Sequence, residues 1–184
     1  QLKAGQYFVV SAHREENIDD NANFFDLIAS LKAVASKYDM PLIVSTHPRT
    51  RNRIKNLKLQ ELDQRIHFLK PLGFLDYVKL QKHARCVISD SGTITEESSI
   101  LGFPAVTIRQ THERPEGMDE GTLIMCGLKS ERVVEAIGIV SAQSTDEPRA
   151  FAIVADYNPE NVSRKVLRII MSYTDYVNRV VWSR

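Results

Sequence analysis

Six short runs of apolar, β-forming residues recur along the 184-residue chain, and most are separated by stretches of helical periodicity. Tyr7-Phe8-Val9-Val10-Ser11-Ala12 and Leu42-Ile43-Val44-Ser45-Thr46 are uninterrupted. Runs of that kind suit strands covered on both faces, whereas a half-exposed strand would alternate. Between them, residues 21–38 carry Phe24, Ile28, Leu31, Ala35 and Tyr38 at helical spacing, behind the start signals Asp19, Asp20 and Asn21. The pattern repeats. Residues 49–62 are predicted to be partly helical, 66–69 a strand, 74–84 a helix, 86–89 a strand, 93–101 a helix stopped by Gly102 and Pro104, and 105–108 a strand. A charged loop is expected over 109–121, a sixth strand over 123–126, and helices over 130–142 and 159–173. Residues 143–158 give no clear pattern. Strands alternating with helices predict a parallel sheet with both faces covered: an α/β, Rossmann-like doubly wound fold, here read as one domain over 1–184.

Composition removes several function classes. The 24 Lys and Arg offset 23 Asp and Glu, and basic residues form no long run, so nucleic acid is not an expected partner. No apolar run approaches the roughly 20 residues of a membrane helix, and no signal-peptide pattern precedes the first strand, so a cytoplasmic protein is expected. The chain opens on Gln1 without an initiating Met, which suggests a fragment or a processed chain. Cys86 and Cys126 do not make a disulfide framework, and Cys86 reads as a small buried hydrophobe. No H-x-x-x-H or C-x-x-C spacing supports a metal, and neither G-x-G-x-x-G nor a P-loop is present, so no metal and no cofactor are expected.

Polar residues gather after the strands. His13-Arg14-Glu15-Glu16-Asn17 follows the first, His47-Pro48-Arg49 the second, Asp90-Ser91-Gly92-Thr93 the fourth, and Arg109 with His112-Glu113-Arg114-Pro115-Glu116 the fifth. In an open parallel sheet these positions share the carboxyl edge, where ligands bind. Asp90 to Thr93 combine a strand end, small residues and a helix start, an arrangement whose free N–H groups and dipole favour an anion. The same stretch, Thr93-Ile94-Thr95-Glu96, also fits a capping box that only starts a helix. Glu97 one turn later suits the helix dipole and is equally placed to accept ribose hydroxyls. His13 and His47 stand at equivalent strand ends, where imidazoles can donate to phosphate oxygen.

Four of these segments resemble those of the non-hydrolysing UDP-N-acetylglucosamine 2-epimerases. His13-Arg14-Glu15-Glu16-Asn17 is similar to their H-R-x-E-N segment, His47-Pro48 to their second histidine segment, Ser89 to Glu97 to their S-D-S-G-G-x-x-E-E stretch, and Glu113 to Gly117 to their E-R-P-E-G loop. The resemblance implies one half of a two-domain GT-B-type fold, the half that holds UDP, with an amino-terminal half bearing a lysine and acidic catalytic residues absent and a homodimer common at full length. It implies His13 as a catalytic histidine beside the diphosphate, Ser91, Gly92 and Thr93 at the phosphates, Glu97 at the ribose, Arg114 at UDP and Tyr77 near the uracil. Arg14 and His47 align with residues of a second, regulatory UDP-sugar site in some relatives. The implied reaction inverts C2 of a UDP-N-acetylhexosamine by eliminating and re-adding UDP. The loop His112–Gly121 and the tail Asp156–Val162 are similar to the branch that makes UDP-N-acetyl-L-fucosamine from UDP-N-acetyl-6-deoxy-L-talosamine for surface polysaccharide. Glu15 and Thr93 depart from the commoner Arg and Gly. A GT-B glycosyltransferase half and a non-catalytic UDP-sugar sensor are the competing readings.

Overall fold

The computed structural model describes residues 2–56, 62–111, 114–143 and 151–184. They divide into two compact units, Gln1–Val154 and Ala155–Arg184. In the first unit six strands form one sheet: β1 (Phe8–Ser11), β2 (Leu42–Ser45), β3 (Ile66–Leu69), β4 (Cys86–Ser89), β5 (Ala105–Thr107) and β6 (Ile124–Met125). The order is β3-β2-β1-β4-β5-β6 and every pairing is parallel. This is the Rossmann-like order, and the chain reverses its direction of travel across the sheet between β1 and β4. In open sheets of this order ligands occupy a crevice at that switch point, outside the carboxyl ends of the strands.

Strand residues alternate between two apolar layers. Phe8, Val10, Leu42, Val44, Cys86, Ile88 and Val106 face a core built with Phe24, Leu31 and Val34 of α2 (Asn21–Tyr38) and with Val133, Ala136 and Ile137 of α7 (Ser130–Val140). Val9, Ile43, Val87 and Ala105 face the other way, against Leu80 of α4 (Phe74–His83) and Ile94 and Leu101 of α5 (Ile94–Leu101). The uninterrupted apolar runs in the sequence follow from this two-sided burial.

Helix ends account for most boundaries. Asp20 caps α2 by accepting the Asn23 N–H at 2.8 Å, and Asp39 closes the helix in the left-handed region. Gly102, at φ 71°, closes α5 in the same way. Two helices were not expected from sequence: α1 (Glu15–Ile18), a single turn after β1, and α6 (Pro115–Asp119), inside the expected charged loop. α3 covers Pro48–Asn56, and the rest of the predicted 49–62 segment lies largely outside the described residues.

The second unit holds a short 3₁₀ turn at Ala155–Tyr157 and α8 (Val162–Val180), which runs seven residues further than the sequence suggests. Val162, Val166, Ile169, Ile170, Tyr173 and Tyr176 recur along α8 at helical spacing, yet no α8 residue is buried. Among the described residues no helix is long and apolar enough to cross a membrane.

Candidate functional site at the switch point

The last register line of the sheet runs through side chains that carry hydroxyls. Ser11 lies level with Ser45 on one side and Ser89 on the other, and Ser89 lies level with Thr107. All four point to the α4 and α5 side, so the second apolar layer ends in a polar floor. Tyr77 of α4 joins it beside Ser11. Burial pushes the Tyr77 phenol up to about 12, helped by the nearby charges of Glu97 and Asp90, while the Ser11 contact acts in the opposite sense. The phenol is therefore a neutral donor at every ordinary pH.

Asp90, fully buried beyond β4, ties the crevice together. Its carboxylate accepts the backbone N–H of His13 at 3.0 Å, that of Arg14 at 2.9 Å and the side-chain amide of Asn17 at 3.1 Å. His13 Nδ1 lies 3.5 Å from the same carboxylate, and half of the His13 side chain is exposed. With Nδ1 turned to Asp90, the other ring nitrogen is the one left to meet a ligand. The loop after β1 is thus fixed from across the switch point, and α1 follows directly from it.

At the start of α5 the side chains of Thr93 and Glu96 have partners other than the helix backbone. Thr93 has helical backbone angles and makes no side-chain cap. Its hydroxyl donates to Glu97 Oε1 at 2.8 Å, and Glu96 instead pairs with Arg114 Nε at 2.6 Å. The capping box is not formed, because both of its side chains are engaged elsewhere. Ser91 Oγ lies 3.0 Å from Thr93 Oγ1, and the Ser91 N–H donates to Ser89 Oγ at 3.0 Å. Gln81 of α4 donates its amide to Glu97 Oε2 at 2.6 Å.

Gly92 explains why this turn has no side chain. A Cβ there would overlap Arg114 Nη1 and stand 3.7 Å from Arg109 Nη1. Two guanidinium groups therefore converge on the backbone at the start of α5. Arg109 is buried, and Arg114 is about one-third exposed. Gly117 serves packing: a Cβ on it would overlap Thr95 Cγ2, so α6 lies directly against α5 and presents Arg114 from its amino end.

Most of the residues singled out in the sequence lie together here: Ser91, Gly92, Thr93, Glu97 and Arg114 at the start of α5, Tyr77 on the adjacent wall, and His13 across the crevice. Arg14 is half-buried, with its Nε 3.4 Å from Glu16, and His47 is exposed just beyond β2. His112 and Glu113 lie outside the described residues. Sequence reasoning missed Gln81, the buried placement of Arg109, the paired role of Glu96, and Asp90 as the anchor of His13. The only advance sign of Gln81 is its place four residues after Tyr77, on the same face of α4.

Known proteins resemble this chain in sequence and in fold. A family model described as UDP-N-acetylglucosamine 2-epimerase matches residues 1–171. The chain is similar to the UDP-N-acetylglucosamine 2-epimerase of Methanocaldococcus jannaschii, at 33% identity over 137 residues, 73% of this chain and 37% of that protein. The solved UDP-N-acetylglucosamine 2-epimerase from Rickettsia bellii superposes on 100% of this chain and 48% of its own, at 46% identity and a TM-score of 0.85. The Methanocaldococcus jannaschii enzyme solved in complex with UDP-GlcNAc and UDP matches 90% of this chain and 45% of its own, at 28% identity and a TM-score of 0.80. The chain thus spans less than half the length of these relatives.

Proposed function

The chain belongs to the UDP-N-acetylglucosamine 2-epimerase family, and from that premise we propose that it supplies the UDP-holding wall of a UDP-sugar C2 epimerase. The observation that carries this reading is the pair of guanidinium groups, Arg114 and Arg109, over the Gly92 backbone at the uncapped start of α5. A helix start, two cations and a glycine that admits close approach together suit a diphosphate. Ser91 and Thr93 add hydroxyls, and Glu97 one turn on accepts ribose hydroxyls. Tyr77 lines the nucleoside side.

In the proposed reaction a base removes the C2 proton, the C1–oxygen bond breaks, and UDP leaves with the bonding electrons. UDP then adds back, and the proton returns to the opposite face of C2. Negative charge grows on the diphosphate as the bond breaks, so Arg114, Arg109, the α5 N–H groups and His13 act most strongly at the transition state. Proton transfer at C2 is proposed for residues that the longer relatives possess beyond the span of this chain. Within the class we propose UDP-N-acetyl-6-deoxy-L-talosamine as substrate. The wording of His112–Gly121 and Asp156–Val162 and the presence of Thr93 support that choice.

Two measurements test the reading. Titration of the chain with UDP should give saturable binding, and uridine without phosphates should bind far more weakly. Equal binding of the two would reject the diphosphate site. The protein at full family length, given each UDP-sugar in deuterium oxide without an acceptor, should exchange the C2 proton and equilibrate the epimers. Sugar transfer only on addition of an acceptor would reject the epimerase in favour of a glycosyltransferase. Faster turnover of UDP-N-acetylglucosamine would reject the deoxytalosamine assignment alone.

A further inference from the structure

Gln81 is the one fully buried residue of α4, at 1% exposure, on a face that otherwise packs against apolar side chains. An apolar residue would fill that position at lower cost, since amides are seldom fully buried. Its Oε1 is buried without a hydrogen-bond partner. A buried orphan acceptor calls for an explanation beyond packing.

The other end of the amide supplies one. Gln81 Nε2 donates to Glu97 Oε2 at 2.6 Å. A carboxylate only accepts, so the amide nitrogen must face it, and the orientation of Gln81 is set by this bond. Glu97 Oε1 takes the Thr93 hydroxyl, an exposed and replaceable donor. The two oxygens therefore differ. Oε2 is anchored from inside by a partner that solvent and ligand cannot displace, and Oε1 faces outward to a partner that a ligand hydroxyl can replace.

We propose that Gln81 is a positioning residue that fixes Glu97 for two vicinal hydroxyls, and that the site's preference for ribonucleotides over 2′-deoxyribonucleotides depends on it. The inference rests on the reading of Glu97 as the ribose acceptor. Without the amide the carboxylate rotates freely about its last bonds, and one hydroxyl satisfies it as well as two. The buried orphan oxygen is the cost of holding the carboxylate in one orientation.

The test compares UDP with 2′-deoxy-UDP by calorimetry on the full 184-residue chain. The proteins are wild type, Gln81→Met, Gln81→Asn and Glu97→Ala, each checked for a cooperative melt. Met keeps the side-chain volume, and Asn keeps an amide one methylene too short to reach Glu97. Wild type should favour UDP by about 10-fold or more, the scale of a hydrogen bond to a charged group. Glu97→Ala should lose that preference, and either folded Gln81 variant should lower it to about 3-fold or less. A residue that only supported the helix would lower the melting temperature and leave the ratio alone. An unchanged ratio in a folded Gln81 variant, with the preference still abolished in Glu97→Ala, overturns the role of Gln81 and spares that of Glu97. A wild-type chain that binds both nucleotides equally, or fails to bind UDP, overturns the ribose reading and this inference with it.

Discussion

A fully buried carboxylate is unfavourable unless its lone pairs are filled, and those of Asp90 are filled by the N–H groups of His13 and Arg14 and the amide of Asn17. All three partners are donors, so an amide in place of the carboxylate would turn its own N–H groups toward one of them. Asp90→Asn should therefore cost roughly 2–3 kcal/mol and lower the melting point by several degrees. In a protein of full family length the proposed C2 exchange should also slow, because His13 loses its anchor. A variant that melts and turns over like wild type would remove Asp90 from this account. Gly92→Ala makes the opposite prediction. The new methyl group overlaps only the flexible end of Arg114 and stands at ordinary contact distance from Arg109, so the melting point should hardly move. Displacing that guanidinium should weaken UDP binding by roughly 10-fold or more on the scale of a truncated charge contact. Calorimetry showing intact affinity would mean that Arg114 does not reach the ligand. Gly92 was legible in the sequence because a strand end, a glycine and a helix start stood together. Gln81 was not, because a polar residue on a helix face has no meaning until its partner is known.

At the scale of elements, the four inner strands β1, β2, β4 and β5 were legible because two-sided burial demands unbroken apolar runs, whereas the edge strands β3 and β6 are partly exposed and their runs are weaker. The helices α2, α4, α5 and α7 were legible from their spacing and stops. α6 was not. Its five residues include Pro115, Gly117 and three acidic or flexible neighbours, a composition that reads as loop. Pro115 sits at the first helical position, where a missing N–H does no harm. Gly117 is there because Thr95 leaves no room for a Cβ. Thr95 is itself buried and branched, so it cannot turn aside. Gly117→Ala should therefore push α6 away from α5, costing about 1–3 kcal/mol, and should weaken UDP binding through the displaced Arg114. Thr95→Ser removes the obstructing methyl group, so the double variant should recover both losses. Urea melts and calorimetry on the two single variants and the double check this. A double variant no better than Gly117→Ala would show that the contact with Thr95 is not what holds α6 in place.

For the molecule as a whole, the two sheet layers determine how stability responds to alkali. Burial raises the Cys86 thiol well above its ordinary value, pushes Cys126 up to about 12 from 9.0, and takes Tyr77 to about 12 from 10.0. In each case the neutral form is favoured by the fold. Below about pH 9 folded and unfolded chains are both neutral at these groups, and their contribution to stability is fully present. Between about 9 and 12 the unfolded chain loses protons that the folded chain retains, so the unfolded state gains and stability falls as pH rises. Each of the two thiols contributes a slope of up to about 1.4 kcal/mol per pH unit within that window, less for the partly exposed Cys126 than for the buried Cys86. The urea midpoint should therefore be flat from pH 7 to 8.5 and decline from 9 to 10.5. Cys86 lies in the α2 and α7 layer with no exposure, so Cys86→Ala should lower the midpoint at pH 7 through the lost packing and yet give a shallower decline above pH 9. Both native thiols should react slowly with a disulfide reagent at pH 8 and quickly once urea exposes them. A midpoint that stays level through pH 10.5, or a Cys86→Ala variant with an unchanged slope, would show that the proton balance of the fold is set by other groups.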